Sequence, residues 1–116
     1  MNLTISIIYG SVRTDRQGIK AARYLDGKLK ERDIKVHFID PLEYRLPLLD
    51  KMYKEYAPGK APERMEELAE KFNSSDGFPI VTGEYNHSIP PALNNILDHF
   101  QSEYLFKPSA IASYSA

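Results

Sequence analysis

DGFPIVTGEYNHSIPPALN, residues Asp76 to Asn94, decides how this chain reads. A short apolar run (Phe78, Ile80, Val81) passes into Thr82-Gly83-Glu84-Tyr85-Asn86-His87-Ser88, then into Ile89-Pro90-Pro91 and a helical pattern. A strand that leaves through such a loop into a helix puts an aromatic ring, an amide and backbone N–H groups at its carboxyl end. Open α/β sheets bind their ligands there. The segment predicts an α/β fold and a ligand loop together.

Working outward, Leu3 to Tyr9 (LTISIIY) is a nearly continuous apolar run of strand length, as expected for a strand covered on both faces of a parallel sheet. From Gly18 to about Arg32, Ile19, Ala22, Leu25 and Leu29 recur at helical spacing. Ile34 to Ile39 alternates through Val36 and Phe38 and stops at Asp40-Pro41. A strand–helix–strand crossover of this kind requires parallel pairing. Pro41 to Pro62 holds four of the eight prolines and no sustained period, so it reads as a long loop, with Leu46, Leu48, Leu49 and Tyr53 too apolar for a linker. Pro62 suits a first helical position, with Glu63, Glu66 and Glu67 near the positive end of the helix dipole and Met65, Leu68, Ala69 and Phe72 as the buried stripe. Phe78 to Thr82, Pro91 to about Gln101 and Ser109 to Tyr114 complete an alternation of strands and helices. The expected fold is a doubly wound parallel α/β sheet in one domain, 1–116.

Composition removes several function classes. Fifteen basic and 16 acidic side chains leave a net charge of −1, without the basic excess of a nucleic-acid-binding or polybasic membrane surface. With no cysteine and three scattered histidines (His37, His87, His99), neither a disulfide framework nor a metal site is expected. No apolar run is long enough for a membrane helix, and the strand pattern begins without a leader-like segment. The expected location is the cytoplasm.

The first strand leaves through Gly10-Ser11-Val12-Arg13-Thr14-Asp15-Arg16-Gln17-Gly18. A glycine exit, hydroxyls at Ser11 and Thr14, guanidinium forks at Arg13 and Arg16, and the start of a helix together suit a phosphate monoester. The pattern is neither a Walker A sequence nor G-x-G-x-x-G, and a helix start with solvated arginines reads equally well. The second loop has fewer donors and less charge. Tyr85 offers a flat face and Asn86 both donates and accepts, which suits the polar edge of a heteroaromatic ring. His87 reads as a hydrogen-bonding or packing residue rather than a catalyst, because no second catalytic group accompanies it. No catalytic side chain is assigned.

Both loops, with Leu46-Pro47-Leu48-Leu49-Asp50, Asn94-Asn95 and Lys107-Pro108 before Ser113-Tyr114-Ser115, resemble the NADPH-dependent FMN reductases, a flavodoxin-like family of small quinone, azo-dye and chromate reductases. Glu84-Tyr85-Asn86-His87-Ser88 is the specific part. The resemblance implies that Ser11, Arg13, Gln17 and Gly18 hold the FMN phosphate. It implies further that Glu84, Tyr85, Asn86 and His87 border the isoalloxazine ring, and that Ser113 and Ser115 open a third flavin loop. It also implies ping-pong chemistry from NADPH or NADH, through FMN, to a quinone, azo compound, metal oxyanion or second flavin, in a homodimer or homotetramer.

Three departures from the family accompany it. Pro79 lies in what should be a central strand, where it removes a ladder hydrogen bond. Gly83 replaces the usual proline ahead of the ring loop, which loses a fixed φ. The family also continues beyond position 116 into a glycine-rich loop, a last strand and a last helix. Four of the usual five strands are therefore expected, in the order 2-1-3-4, with Ser109–Tyr114 as an edge prone to associate and FMN held less tightly than in a longer relative. The alternatives are a degenerate flavodoxin-like module without FMN, serving as a binding or structural subunit, and a phosphate-binding hydrolase or response-regulator-like fold. The last lacks an acidic cluster for Mg²⁺.

Overall fold

In the computed structural model, which describes residues 2–115, the β-branched run Thr4–Tyr9 forms β1 and Lys35–Ile39 forms β2, joined by α1 (Ile19–Lys30). Phe78–Gly83 is β3 and Ser109–Tyr114 is β4. All pairings are parallel and the strand order is β2-β1-β3-β4, as expected from the crossover logic. Two further helices, α3 (Glu63–Ser74) and α4 (Pro91–Asp98), cover the face opposite α1.

The two faces follow from the period of two along β1. Ile7 and Tyr9 point to one side, where Val81 and Ala22 of α1 close over them. Ile8 points to the other, into a larger core with Ile39, Met65, Leu68, Phe72, Leu93 and Ile96. Phe72 is the centre of that core. It meets Phe78 and Phe100 edge-on, with ring centroids 5.6 and 5.1 Å apart and interplanar angles of 84° and 81°. Edge-to-face pairs of this kind add about 0.5–1.5 kcal/mol each beyond area burial.

Pro79 leaves its expected mark. β1 and β3 pair at Ile8–Ile80 and Tyr9–Val81, and again only at an isolated bridge between Ile5 and Gly77. The gap falls at Pro79, which has no N–H to give β1. The β3–β4 ladder, by contrast, runs unbroken from Phe78–Ser109 to Gly83–Tyr114.

Three elements differ from the sequence reading. The expected long loop from Pro41 to Pro62 opens with a short helix, α2 (Pro41–Tyr44), and contains a 3-10 turn at Tyr53–Glu55. Asp40 is the reason: it ends β2 and also caps α2, its Oδ1 accepting the Leu42 N–H at 2.9 Å, with Pro41 at the first helical position. Pro62 is the residue before α3 rather than its first residue. The last helix stops at Asp98 instead of reaching Gln101. At its end the buried His99 ring places Nδ1 2.6 Å from the Asn95 carbonyl, and the His99 and Phe100 N–H groups turn to Ile96 and Leu97 in a tighter winding. His99 is therefore a buried part of this helix end. His37, in β2, is half-buried, and burial first, then Lys71 and Lys35, lowers its pKa. No helix of the described residues is long and apolar enough to cross a membrane.

Candidate functional site

The order β2-β1-β3-β4 reverses direction between β1 and β3, so the loops leaving these two strands open a crevice at the switch point. Gly10 brings them together. Its N–H donates to the Val81 carbonyl at 3.0 Å, and a Cβ there would lie 2.9 Å from Thr82 Oγ1 and 3.3 Å from Leu93 Cβ. A side chain at this position would press on the end of β3 and on α4.

In the first loop Ser11 is buried and its Oγ accepts the Arg13 N–H at 3.2 Å, a local turn that sends the Arg13 side chain outward. Arg13, Thr14, Asp15 and Gln17 are exposed. Arg16 departs from its expected part as a second free cation. Its Nη1 donates to Asp40 Oδ1 at 2.6 Å and to the Ser11 carbonyl at 3.2 Å, and its guanidinium sits 5.5 Å from the centre of the Tyr9 ring. The Asp40 hydrogen bond raises the Arg16 pKa above its ordinary value, against a smaller opposing effect of burial. No side chain caps α1; the Lys20 and Ala21 N–H groups donate to the Gln17 and Gly18 carbonyls at 3.2 and 3.1 Å, and among the described residues no hydrogen bond claims the Ile19 N–H.

The second loop is a tight hairpin. Tyr85 and Ser88 exchange both backbone hydrogen bonds, each 3.0 Å, while Asn86 and His87 take φ values of +52° and +62°. Two left-handed central residues are the signature of the turn that matches strand twist; Asn tolerates this conformation well, His less so. Among the described residues no hydrogen bond claims the N–H of Asn86 or His87 at the tip. His87 is almost fully exposed, its Nδ1 3.5 Å from Glu84 Oε2.

Two adjoining clefts result. One, of about 440 Å³, brings together Ser11, Arg13, Gln17 and Gly18 from the first loop with Glu84 and Tyr85 from the second and Ser115 from the end of β4. Asp15 and Arg16 also face it, Arg16 with its Nη1 held by Asp40. The other, of about 550 Å³, is lined by Glu84, His87 and Ser88 on one side and Ser113 and Ser115 on the other. Every expected site residue except Asn86 lines one of the two; Asn86 projects from the hairpin tip into solvent.

Sequence reading missed the aromatic partition between the clefts. Tyr114, at the end of β4, lies against both Gly18 and Gly83. A Cβ on Gly18 would be 2.0 Å from Tyr114 Oη, and one on Gly83 would be 3.2 Å from Cε2. The Tyr114 hydroxyl is 3.4 Å from that of Tyr9, and burial is the first cause of its raised pKa. Gly83, read as the loss of a fixed φ ahead of the loop, thus also provides space for a ring. The available signal was an aromatic closing each of two strands, Tyr9 and Tyr114, but nothing local links them.

This arrangement defines a flavodoxin-like α/β protein with a crevice at the switch point of its sheet. The chain belongs to the NADPH-dependent FMN reductase family, whose model matches residues 3–116. It is 34% identical over 120 residues to the 2-hydroxy-1,4-benzoquinone reductase of a Burkholderia species, covering 99% of this chain and 62% of that protein. To the quinone reductase of Pseudomonas putida it is 29% identical over 117 residues, covering 97% of this chain and 60% of the relative. Among solved structures, the flavoenzyme NAD(P)H:(acceptor) oxidoreductase FerB of Paracoccus denitrificans superposes with a TM-score of 0.77 at 25% identity, over 96% of this chain and 60% of its own. The chain thus spans about 60% of the length of these relatives.

Proposed function

We propose that this chain forms the FMN-binding part of an NAD(P)H-dependent oxidoreductase that delivers electrons to a quinone-type acceptor. The observation that carries the reading is the meeting, in adjoining clefts, of an anion-suited end and a ring-suited end. At the first, Ser11, the exposed Arg13, Gln17, Gly18 and the uncapped start of α1 suit a phosphate monoester. At the second, Glu84, Tyr85 and His87, with Asn86 at the hairpin tip, suit the polar edge of a flat heterocycle, with Ser113 and Ser115 opposite. This donor set fits FMN. Held there, FMN would supply the redox chemistry between NADPH or NADH and the acceptor.

The residues of the chain bind and orient. Arg13 supplies charge to the phosphate, while Tyr85 and Tyr114 offer aromatic surface on either side of Gly83. The N–H groups of Asn86 and His87 are free to meet ring carbonyls. Azo compounds, metal oxyanions and free flavin are further acceptors of the same reading. A homodimer or homotetramer in the cytoplasm belongs to it too, supported by the exposed Leu48, Leu49 and Ile89.

Titration of the apo protein with FMN, followed by flavin fluorescence and the visible spectrum, tests the reading. Saturable binding is expected, and Arg13→Ala should raise Kd about 10- to 100-fold, the loss of one hydrogen bond to a charged group worth roughly 1.5–3 kcal/mol. Unchanged FMN affinity in Arg13→Ala refutes this placement of the phosphate.

A further inference from the structure

The first loop contains two arginines with opposite surroundings. Arg13 is exposed and its side chain makes no hydrogen bond among the described residues. Arg16 is only 16% exposed, as is its partner Asp40. Its Nη1 spans two elements, donating to Asp40 Oδ1 at the end of β2 and to the carbonyl of Ser11 within its own loop. Asp40 Oδ1 is itself shared with the Leu42 N–H of α2. Moving Arg16 to a phosphate would leave a partly buried carboxylate without its cation, an arrangement that costs far more than breaking an exposed ion pair. It would also release the Ser11 carbonyl that anchors the start of the turn.

We propose that Arg16 is a positioning residue: braced by Asp40, it holds the turn from Ser11 to Gln17 in its anion-binding shape and leaves Arg13 as the cation that meets the ligand. The ligand rests on the FMN reading above; the bracing of the turn does not.

Asp40→Asn distinguishes the brace from the simpler view that Arg16 contacts the phosphate. Asn keeps the cap on α2, but it removes a negative charge beside the site and weakens the hold on Arg16. If Arg16 were a phosphate ligand, this change would free it and FMN would bind more tightly. With Arg16 as a brace, FMN binds less tightly. We expect Asp40→Asn and Arg16→Lys each to raise the Kd for FMN about tenfold, while the Kd for riboflavin, which lacks the phosphate, stays within twofold of the wild-type value. Tighter or unchanged FMN binding overturns the proposal. So does an equal loss for FMN and riboflavin, which marks a general structural defect. A flavin-free arm separates failure of this proposal from failure of the cofactor reading. Inorganic phosphate titrated into ¹⁵N-labelled apo protein should shift the amides of residues 11–18 in the wild type and do so severalfold more weakly in both variants. That result sustains the brace even if FMN does not bind; no phosphate response in the wild type, or equal responses in all three proteins, overturns it.

Discussion

Asn95 ties the segment after α2 to α4 and offers the most direct test of how the apolar rim beside the crevice is held. Its Oδ1 accepts the Leu49 N–H at 3.0 Å, and its Nδ2 donates to the Pro47 carbonyl at 2.9 Å and the Leu46 carbonyl at 3.3 Å. One side chain thus holds a turn whose Leu48 is 85% exposed and has little packing of its own. Asn95→Ala removes all three bonds. At a net value of about 1 kcal/mol each they sum to roughly 3 kcal/mol. Water can replace part of that at the exposed Pro47 and Leu49, and Ala improves helix propensity by about 0.5 kcal/mol. A net loss of about 1.5 kcal/mol remains, or roughly 6 °C in Tm at about 4 °C per kcal/mol for a domain of this size. The control is Asn94→Ala, which alters an exposed neighbour whose side chain makes no hydrogen bond among the described residues. Thermal unfolding and amide exchange at Leu49 read the result. If the two variants melt within a degree of each other, or if Leu49 exchanges no faster in Asn95→Ala, the clamp does not hold the turn.

Two further outcomes follow from the same structure. Gly18→Ala should destabilise the protein, because its Cβ falls 2.0 Å from Tyr114 Oη, and Tyr114→Ala should relieve most of that loss. A urea-denaturation double-mutant cycle should give a coupling above about 1 kcal/mol, and additivity within about 0.5 kcal/mol excludes the contact. Tyr53 donates to Glu66 Oε1 at 2.6 Å, and that hydrogen bond first, with burial and the Glu66 charge behind it, pushes its pKa up to about 12. Since the folded value lies above the unfolded value of about 10, the stabilisation is full below pH 10 and lost as pH rises from 10 to 12. Tyr53→Phe should flatten the decline of Tm in that window relative to wild type, and parallel declines refute the assignment.

The crevice combines rigid strand ends with loops of quite different character. The first is drawn inward by the buried Ser11 and the Arg16–Asp40 pair, whereas the second stands out as a hairpin with Asn86 and His87 at its tip. One end of the crevice is thus drawn in and the other stands open to solvent. Tyr114 lines both clefts and stands between them.

Residue patterns alone determined the strands and the parallel crossover. Ile5, Ile7 and Ile8 in β1, the 3.6-residue stripe of Met65, Leu68, Ala69 and Phe72, and the gap at Pro79 each follow from the period or chemistry of neighbouring residues. The two loops that open the crevice were legible for the same reason, since the residues that mark them are consecutive. Only the tertiary structure decided what each loop residue does. Asp40 read as a strand stop, yet it caps α2 and holds Arg16, 24 positions away in sequence. Tyr9 and Tyr114 lie 105 positions apart, and their meeting depends on β3 lying between β1 and β4 and on space left at Gly18 and Gly83. Periodicity encodes which face of an element is buried, because that depends on local geometry. Which charge neutralises which, and which ring fills which gap, is decided only when distant groups lose water together.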